Sequence, residues 1–220
     1  MPTVGSVHET LKESIKESLL IVQSLYNKAD NHLYINKEMI NLNKEKVKRI
    51  SLINDSDFYF DFFNAVAKYR ENLKQLVAEN PFNNRLMLES RIKNINSISS
   101  KIYQYINMKS ERGEVSISKC LNDLYGVRII ISRVNFKSAL KIIHEAAKET
   151  GINCKIINAS KQKYRAVHMY FKGDAYSVRW EIQFWLACDD KKNRDSHAIY
   201  KQMYTKWEDK YKKKDLYKEI

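Results

Sequence analysis

Tyr176-Ser177-Val178-Arg179-Trp180-Glu181-Ile182-Gln183-Phe184-Trp185-Leu186 alternates apolar and polar side chains along most of its length. Val178, Trp180, Ile182 and Phe184 fall on one face of a strand, and Arg179, Glu181 and Gln183 on the other. The apolar set can pack on a core, which leaves the polar set to line a surface facing water or a ligand. Just upstream, Tyr164–Lys172 reads as a second strand, and Gly173-Asp174 suits a tight hairpin turn between the two. Such a hairpin sets Tyr164 and His168 beside Glu181, bringing an aromatic ring, an imidazole and a carboxylate together on neighbouring strands.

Further back, Gly126–Val134 is dense in β-branched residues and predicts a central strand. Phe136–Glu149 has the helical period, with Gly151 as its stop, and Asn153–Asn158 is again strand-like. This strand–helix–strand unit predicts parallel pairing within a mixed sheet. Leu86, Leu88 and Ile92 alternate with Met87, Glu89, Arg91 and Lys93, which predicts a strand with Arg91 and Lys93 on one face. Ser97–Ile106 reads as a helix burying Ile98, Ile102 and Ile106. The fold class is therefore α/β (α+β), a mixed sheet flanked by helices.

The first 84 residues form a mostly helical region. Ser6-Val7-His8-Glu9 is a capping-box pattern opening a helix whose apolar face carries Val7, Leu11, Ile15, Leu19, Val22 and Tyr26. Residues about 35–50 read as a basic helix or loop, including Lys44–Arg49. Asp57–Glu79 predicts a second long helix, ended by Asn80-Pro81, with its aromatic cluster (Phe58 to Phe63) in the core or at an interface with the rest of the protein. Residues 85–200 make a second unit, and 201–220 a basic C-terminal helix containing Lys212-Lys213-Lys214.

The chain has 220 residues, with 39 Lys and Arg against 26 Asp and Glu, a formal net charge of +13. Such an excess favours polyanionic partners. Cys120, Cys154 and Cys188 are odd in number and lack metal-ligand spacing, which argues for a reducing compartment rather than a disulfide framework. No apolar run reaches membrane-spanning length and no signal-peptide pattern opens the chain, so a cytoplasmic location and no membrane partner are expected.

Asp123 precedes one strand and Glu181 lies in another. Two hard oxygen ligands of this kind suit Mg²⁺ with bound phosphates, since Mg²⁺ keeps several waters and takes few protein carboxylates. Arg91, Lys93 and Lys101 form a basic cluster able to clamp a polyphosphate.

Taken in order, Arg91-x-Lys93, Lys101, Asp123-Leu-x-Gly126-Val-Arg128, Tyr164-Arg-x-x-His168, Glu181-Ile-Gln183 and His197 resemble the synthetase domain of the RelA/SpoT family, particularly its small single-domain members. The resemblance covers roughly Arg85 to Lys201. It implies a nucleotidyltransferase-like core and a pyrophosphokinase that moves the β,γ-pyrophosphate of ATP to a ribose 3′-hydroxyl and releases AMP. It implies that Arg91, Lys93, Lys101 and Arg128 hold ATP, and that Asp123 and Glu181 bind Mg²⁺. On the acceptor side it implies stacking by Tyr164, a contact from His168 and positioning of the reacting hydroxyl by Gln183; Arg165, Lys161 and Lys163, beside Tyr164 in the chain, are further expected acceptor contacts.

The chain departs from the family around the acceptor. The usual Lys-x-x-Gly-Tyr is Lys161-Gln162-Lys163-Tyr164 preceded by Ser160, and the usual Ile-Arg-Thr is Phe184-Trp185-Leu186. Ser196 stands where a Glu precedes the late His, and Gln104 replaces an ATP-side basic residue. The family has two acceptor types, guanine nucleotides (GDP or GTP, giving alarmones) and, in a toxin subgroup with neutralising antitoxin partners, the 3′-terminal adenosine of tRNA. The net charge, the lysines beside Tyr164 and the basic flanks favour tRNA. A non-catalytic RNA-binding module on a degenerate scaffold is the third reading, and retention of Asp123 and Glu181 argues against it.

Overall fold

The computed structural model describes residues 4–53, 55–81 and 86–199. In chain order the elements are α1 (Val4–Lys28), a short pair β1 (Tyr34–Ile35) and β2 (Glu38–Met39), α2 (Ser56–Glu79), β3 (Met87–Ile92), α3 (Ile95–Asn107), α4 (Ile117–Cys120), β4 (Tyr125–Ile131), α5 (Phe136–Thr150), β5 (Cys154–Asn158), β6 (Val167–Phe171) and β7 (Trp180–Leu186). A helix over residues 190–199 follows. The larger sheet has five strands in the order β3-β4-β7-β6-β5. β4 and β7 are parallel, and the other neighbouring pairs are antiparallel. This is the mixed α+β architecture expected from the sequence.

Local chemistry explains the element ends. Asp55, Asn94 and Asn135 cap α2, α3 and α5, each side chain accepting from a backbone N–H three residues on. Gly151 closes α5 at φ 68°, a left-handed conformation that glycine adopts without steric cost. Arg133 also turns left-handed, at φ 64°, so β4 ends at Ile131 and not at the expected Val134.

Several sequence expectations are corrected. The backbone is helical from Val4, so Ser6 lies inside α1 and not at its cap. Of the two readings of residues about 35–50, helix or loop, the loop is found: residues 29–53 are largely irregular, with the β1/β2 pair and a 3₁₀ turn at Val47–Arg49. β6 and β7 do pair antiparallel, but the connection is longer than a tight turn. It spans residues 172–179 and is pinned by Asp174, which accepts from Tyr176 N and Ser177 Oγ. β5 runs in the same direction as β4 without pairing to it, because β7 and β6 insert between them. A crossover helix permits parallel strands but does not make them neighbours. The expected C-terminal helix at 201–220 lies outside the described residues.

The core lies between one face of the sheet and the helices. Val127, Ile129, Ile182, Phe184, Met169 and Phe171 meet Ile15, Leu19 and Val22 of α1 and Ile142 and Ile143 of α5 in one continuous cluster. Phe58 and Phe62 are buried in it, as expected for the aromatic run, whereas Phe60 is 58% exposed. Trp180 ties the N-terminal helices to the sheet. Its ring meets Tyr26 and Tyr125 edge-on, and Nε1 donates to Tyr69 Oη at 2.8 Å. Each such ring pair is worth about 0.5–1.5 kcal/mol beyond its area. The residue after Trp180 is Glu181, so this packing fixes the strand that carries a site carboxylate. Among the described residues no helix is long and apolar enough to cross a membrane.

Candidate active site

The opposite face of the sheet is polar. Strand parity and register set two rows across it. Arg91 lies opposite Gly126, Gly126 opposite Glu181, and Glu181 opposite Tyr170. In the next row Glu89, Arg128, Gln183 and His168 follow one another. The sequence reading left this face open. The structure instead buries Glu181 to 6% exposure, so its carboxylate must be satisfied by neighbours. Arg179 falls outside β7 and donates to Asn43 Oδ1.

At one end of the face Asp123 sits just before β4. Lys93 Nζ lies 2.6 Å and Lys101 Nζ 2.9 Å from its two oxygens. Lys93 follows β3 and is fixed by its backbone N–H bonded to Leu124 O. Lys101 reaches in from α3 and also meets Asn122 Oδ1. Burial opposes ionisation of Asp123, but the Lys101 and Lys93 charges outweigh it and hold the carboxyl well below the usual range. Burial pulls the Lys93 ammonium down, whereas the attraction of Asp123 outweighs burial at Lys101 and raises it.

In the middle lies a directional hydrogen-bond chain. Trp185 Nε1 donates to Tyr164 Oη at 3.2 Å, and Tyr164 Oη is 2.7 Å from His168 Nε2. His168 Nδ1 is 2.9 Å from Glu181 Oε1, and Gln183 Nε2 donates to Glu181 Oε2 at 2.6 Å. A carboxylate only accepts, so Nδ1 carries a proton toward Glu181, and in the neutral imidazole Nε2 accepts the Tyr164 hydroxyl. Burial would raise the Glu181 carboxyl, but the His168 bond and the Tyr170 hydroxyl hold it below its ordinary value, against the repulsion of Asp123. Burial, with the Glu181 charge adding to it, pushes the Tyr170 phenol up, so it remains a donor.

Arg128 lies flat on Trp185, its guanidinium carbon 3.6 Å from the ring centroid, and donates to Glu89 at 2.9 Å. Arg194, from the helix at 190–199, bonds the other Glu89 oxygen. His197 packs against Tyr164 and Trp185; burial, then the Arg128 and Arg91 charges, push its imidazole down to about 4. Two buried atoms on this face, Arg128 Nε and Gln183 Oε1, have no hydrogen-bond partner among the described residues.

The structure thus brings Lys93, Lys101 and Asp123 together, and Tyr164, His168, Glu181 and Gln183 together. Arg91 is exposed at the edge of the same face. Tyr164 lies not in β6 but in a turn, where residues 161 and 164 exchange backbone bonds and Gln162 takes φ 51°. Lys163, at the family's glycine position, is therefore not the left-handed residue. Lys161 and Lys163 project from this turn as exposed side chains. Arg165 points elsewhere, over Phe136 and toward Asp189. Sequence reasoning missed Tyr170, Glu89 and the site position of Trp185. Each shares strand parity with a named site residue (His168, Arg91 and Glu181 respectively).

The donor set fits a hard divalent cation. Both carboxylates are held ionised and lie close enough for their charges to oppose each other. Among the described residues no cluster of three or more His, Cys, Asp or Glu forms a metal site. An ion here would rest on Asp123 and Glu181, completed by water and phosphate oxygens.

Residues 90–205 match the family described as "Region found in RelA / SpoT proteins". No curated protein matches the chain. The chain is similar to the small alarmone synthetase 1 of Bacillus subtilis, with 18% identity over 64% of this chain and 76% of that one and a TM-score of 0.37. The structure of that synthetase bound to AMPCPP gives 15% identity over 64% and 75% of the two chains, at a TM-score of 0.34.

Proposed function

The chain belongs to the RelA/SpoT family and is a pyrophosphokinase of that type, and on this premise we propose that it transfers the β,γ-pyrophosphate of ATP to the 3′-hydroxyl of the 3′-terminal adenosine of tRNA. The acceptor oxygen attacks the β-phosphorus, the bond from that phosphorus to the α,β-bridging oxygen breaks, and AMP leaves with that oxygen. Such transfer depends on in-line positioning and charge stabilisation more than on a covalent nucleophile. Lys93, Lys101 and Arg91 are the cations for the polyphosphate, with Arg128 beside them.

Asp123 and Glu181 would hold Mg²⁺, which neutralises charge on the phosphoryl oxygens when bound. Tyr164 stacks on the acceptor base. Gln183 Oε1, left free because Nε2 is committed to Glu181, accepts from the reacting ribose. The hydroxyl proton is released beside the Glu181–His168 pair.

The observation that carries the transferase reading is the pair of ionised carboxylates, Glu181 buried and Asp123 partly buried, with Lys93 and Lys101 on Asp123. The tRNA reading rests on the +13 charge and on exposed Lys161 and Lys163 flanking Tyr164. A phosphate-tracking surface needs such cations, and a free nucleotide does not. ATP labelled at its γ-phosphate, offered with deacylated tRNA, GDP and GTP in parallel, tests it. Label in tRNA is expected. Label in guanine nucleotides alone would make the protein an alarmone synthetase and overturn the acceptor.

A further inference from the structure

Trp185 occupies a position that composition assigns to the core, yet its side chain belongs to the polar face. It is fully buried, shares strand parity with Glu181 and Gln183, and touches both halves of the site. Its ring carries the Arg128 guanidinium at 3.6 Å. Its Nε1–H donates to Tyr164 Oη at 3.2 Å, the first bond of the chain that runs through His168 to Glu181.

We infer that Trp185 is a positioning residue that locks the donor-side arginine and the acceptor-side tyrosine into one register, an inference that rests on the pyrophosphate-transfer reading of this site. The two contacts use separable parts of one side chain. The π face holds a desolvated cation in a fixed plane. The indole N–H fills one lone pair of the Tyr164 hydroxyl, so that its proton points at His168 Nε2. A cation at this position would repel Arg128 and offer it no π face.

Separability supplies the test. Trp185→Phe keeps the aromatic face and removes the N–H, whereas Trp185→Leu removes both. The probe for the donor side is the dissociation constant of an ATP analogue with a methylene group in place of the α,β-bridging oxygen. The probe for the acceptor side is kcat/KM for whichever acceptor takes label from the unaltered protein. Trp185→Phe is expected to keep analogue affinity within about three-fold while acceptor kcat/KM falls about five-fold. Trp185→Leu is expected to weaken the analogue about ten-fold and the acceptor at least as much as Phe does.

Equal losses on both sides in the Phe variant, or no loss on either side in either variant, would overturn the inference. A drop in melting temperature with unchanged kinetics would do so as well. Should Trp185→Leu fail to fold, the Phe variant alone decides, since retained acceptor kcat/KM refutes the role. Label entering guanine nucleotides instead of tRNA would defeat the acceptor proposal yet leave this comparison intact. If no acceptor takes label, the transfer reading fails, while analogue binding still reports on the Trp185–Arg128 contact.

Discussion

Replacing Asp123 by Asn removes one negative charge from between two largely buried ammonium groups. Lys93 and Lys101 side chains are 11% and 19% exposed, and both end on this carboxylate. Breaking a buried pair by deleting one partner costs about 3–5 kcal/mol, because the remaining charge is left unpaired. Here two cations are left facing each other, and the Asn amide oxygen can still accept from only part of the set, so about 4 kcal/mol is expected. With a urea slope of about 2 kcal/mol/M, the unfolding midpoint falls by about 2 M. The sign of the pH dependence follows from the depressed Asp123 pKa. An unfolded aspartate titrates near about 3.9, so the contribution is complete above that pH and is lost as pH falls toward the folded value. The difference between the two proteins should therefore be flat near neutrality and shrink in acid. Equilibrium urea unfolding monitored by circular dichroism at several pH values measures it. A midpoint shift below about 0.5 M, or one that does not shrink in acid, would refute the ion-pair account of Asp123.

Three further outcomes follow from the same geometry. Glu181→Gln keeps shape and the Gln183 contact but removes a metal-competent charge, so transfer should fall by about 10²–10³-fold with the circular dichroism spectrum unchanged; retained turnover would remove Glu181 from the chemistry. Tyr164→Ala should weaken acceptor use by about 1–3 kcal/mol, the value of stacking one base, and leave ATP-analogue affinity close to that of the unaltered protein. Charge reversal at Lys161 and Lys163 together should weaken transfer to tRNA and reduce the salt-dependence slope by about 0.9 per lost phosphate contact. An equal effect on a free nucleoside acceptor would show that the lysines do not track a polynucleotide.

The face of each strand was legible because parity is a local property. Glu181 and Gln183, and Arg91 on its own strand, were placed on the face where the structure finds them, and His168 beside Glu181 follows from the antiparallel register of β6 and β7. The same parity names Tyr170 and Trp185, but aromatic residues in a strand read first as core, and nothing local distinguishes a ring that floors a polar face from one that fills an apolar one. Non-local facts were out of reach. The separation of β5 from β4 depends on which strands insert between them, and the Glu89–Arg128–Arg194 link joins residues 105 apart in sequence. Turn length after β6 was misjudged because Gly173-Asp174 signals a bend without saying how soon pairing resumes. The depth at which Glu181 is buried is likewise set by packing from outside its strand.

Pyrophosphate transfer itself is tested by following both ends of ATP at once. One preparation carries a label on the α-phosphate and another on the γ-phosphate, each incubated with enzyme, Mg²⁺ and the acceptor mixture. The account predicts α-label in AMP and γ-label in the acceptor, in equal amounts. The α-label entering the acceptor, or γ-label entering it while the α-label stays in ADP, would contradict it.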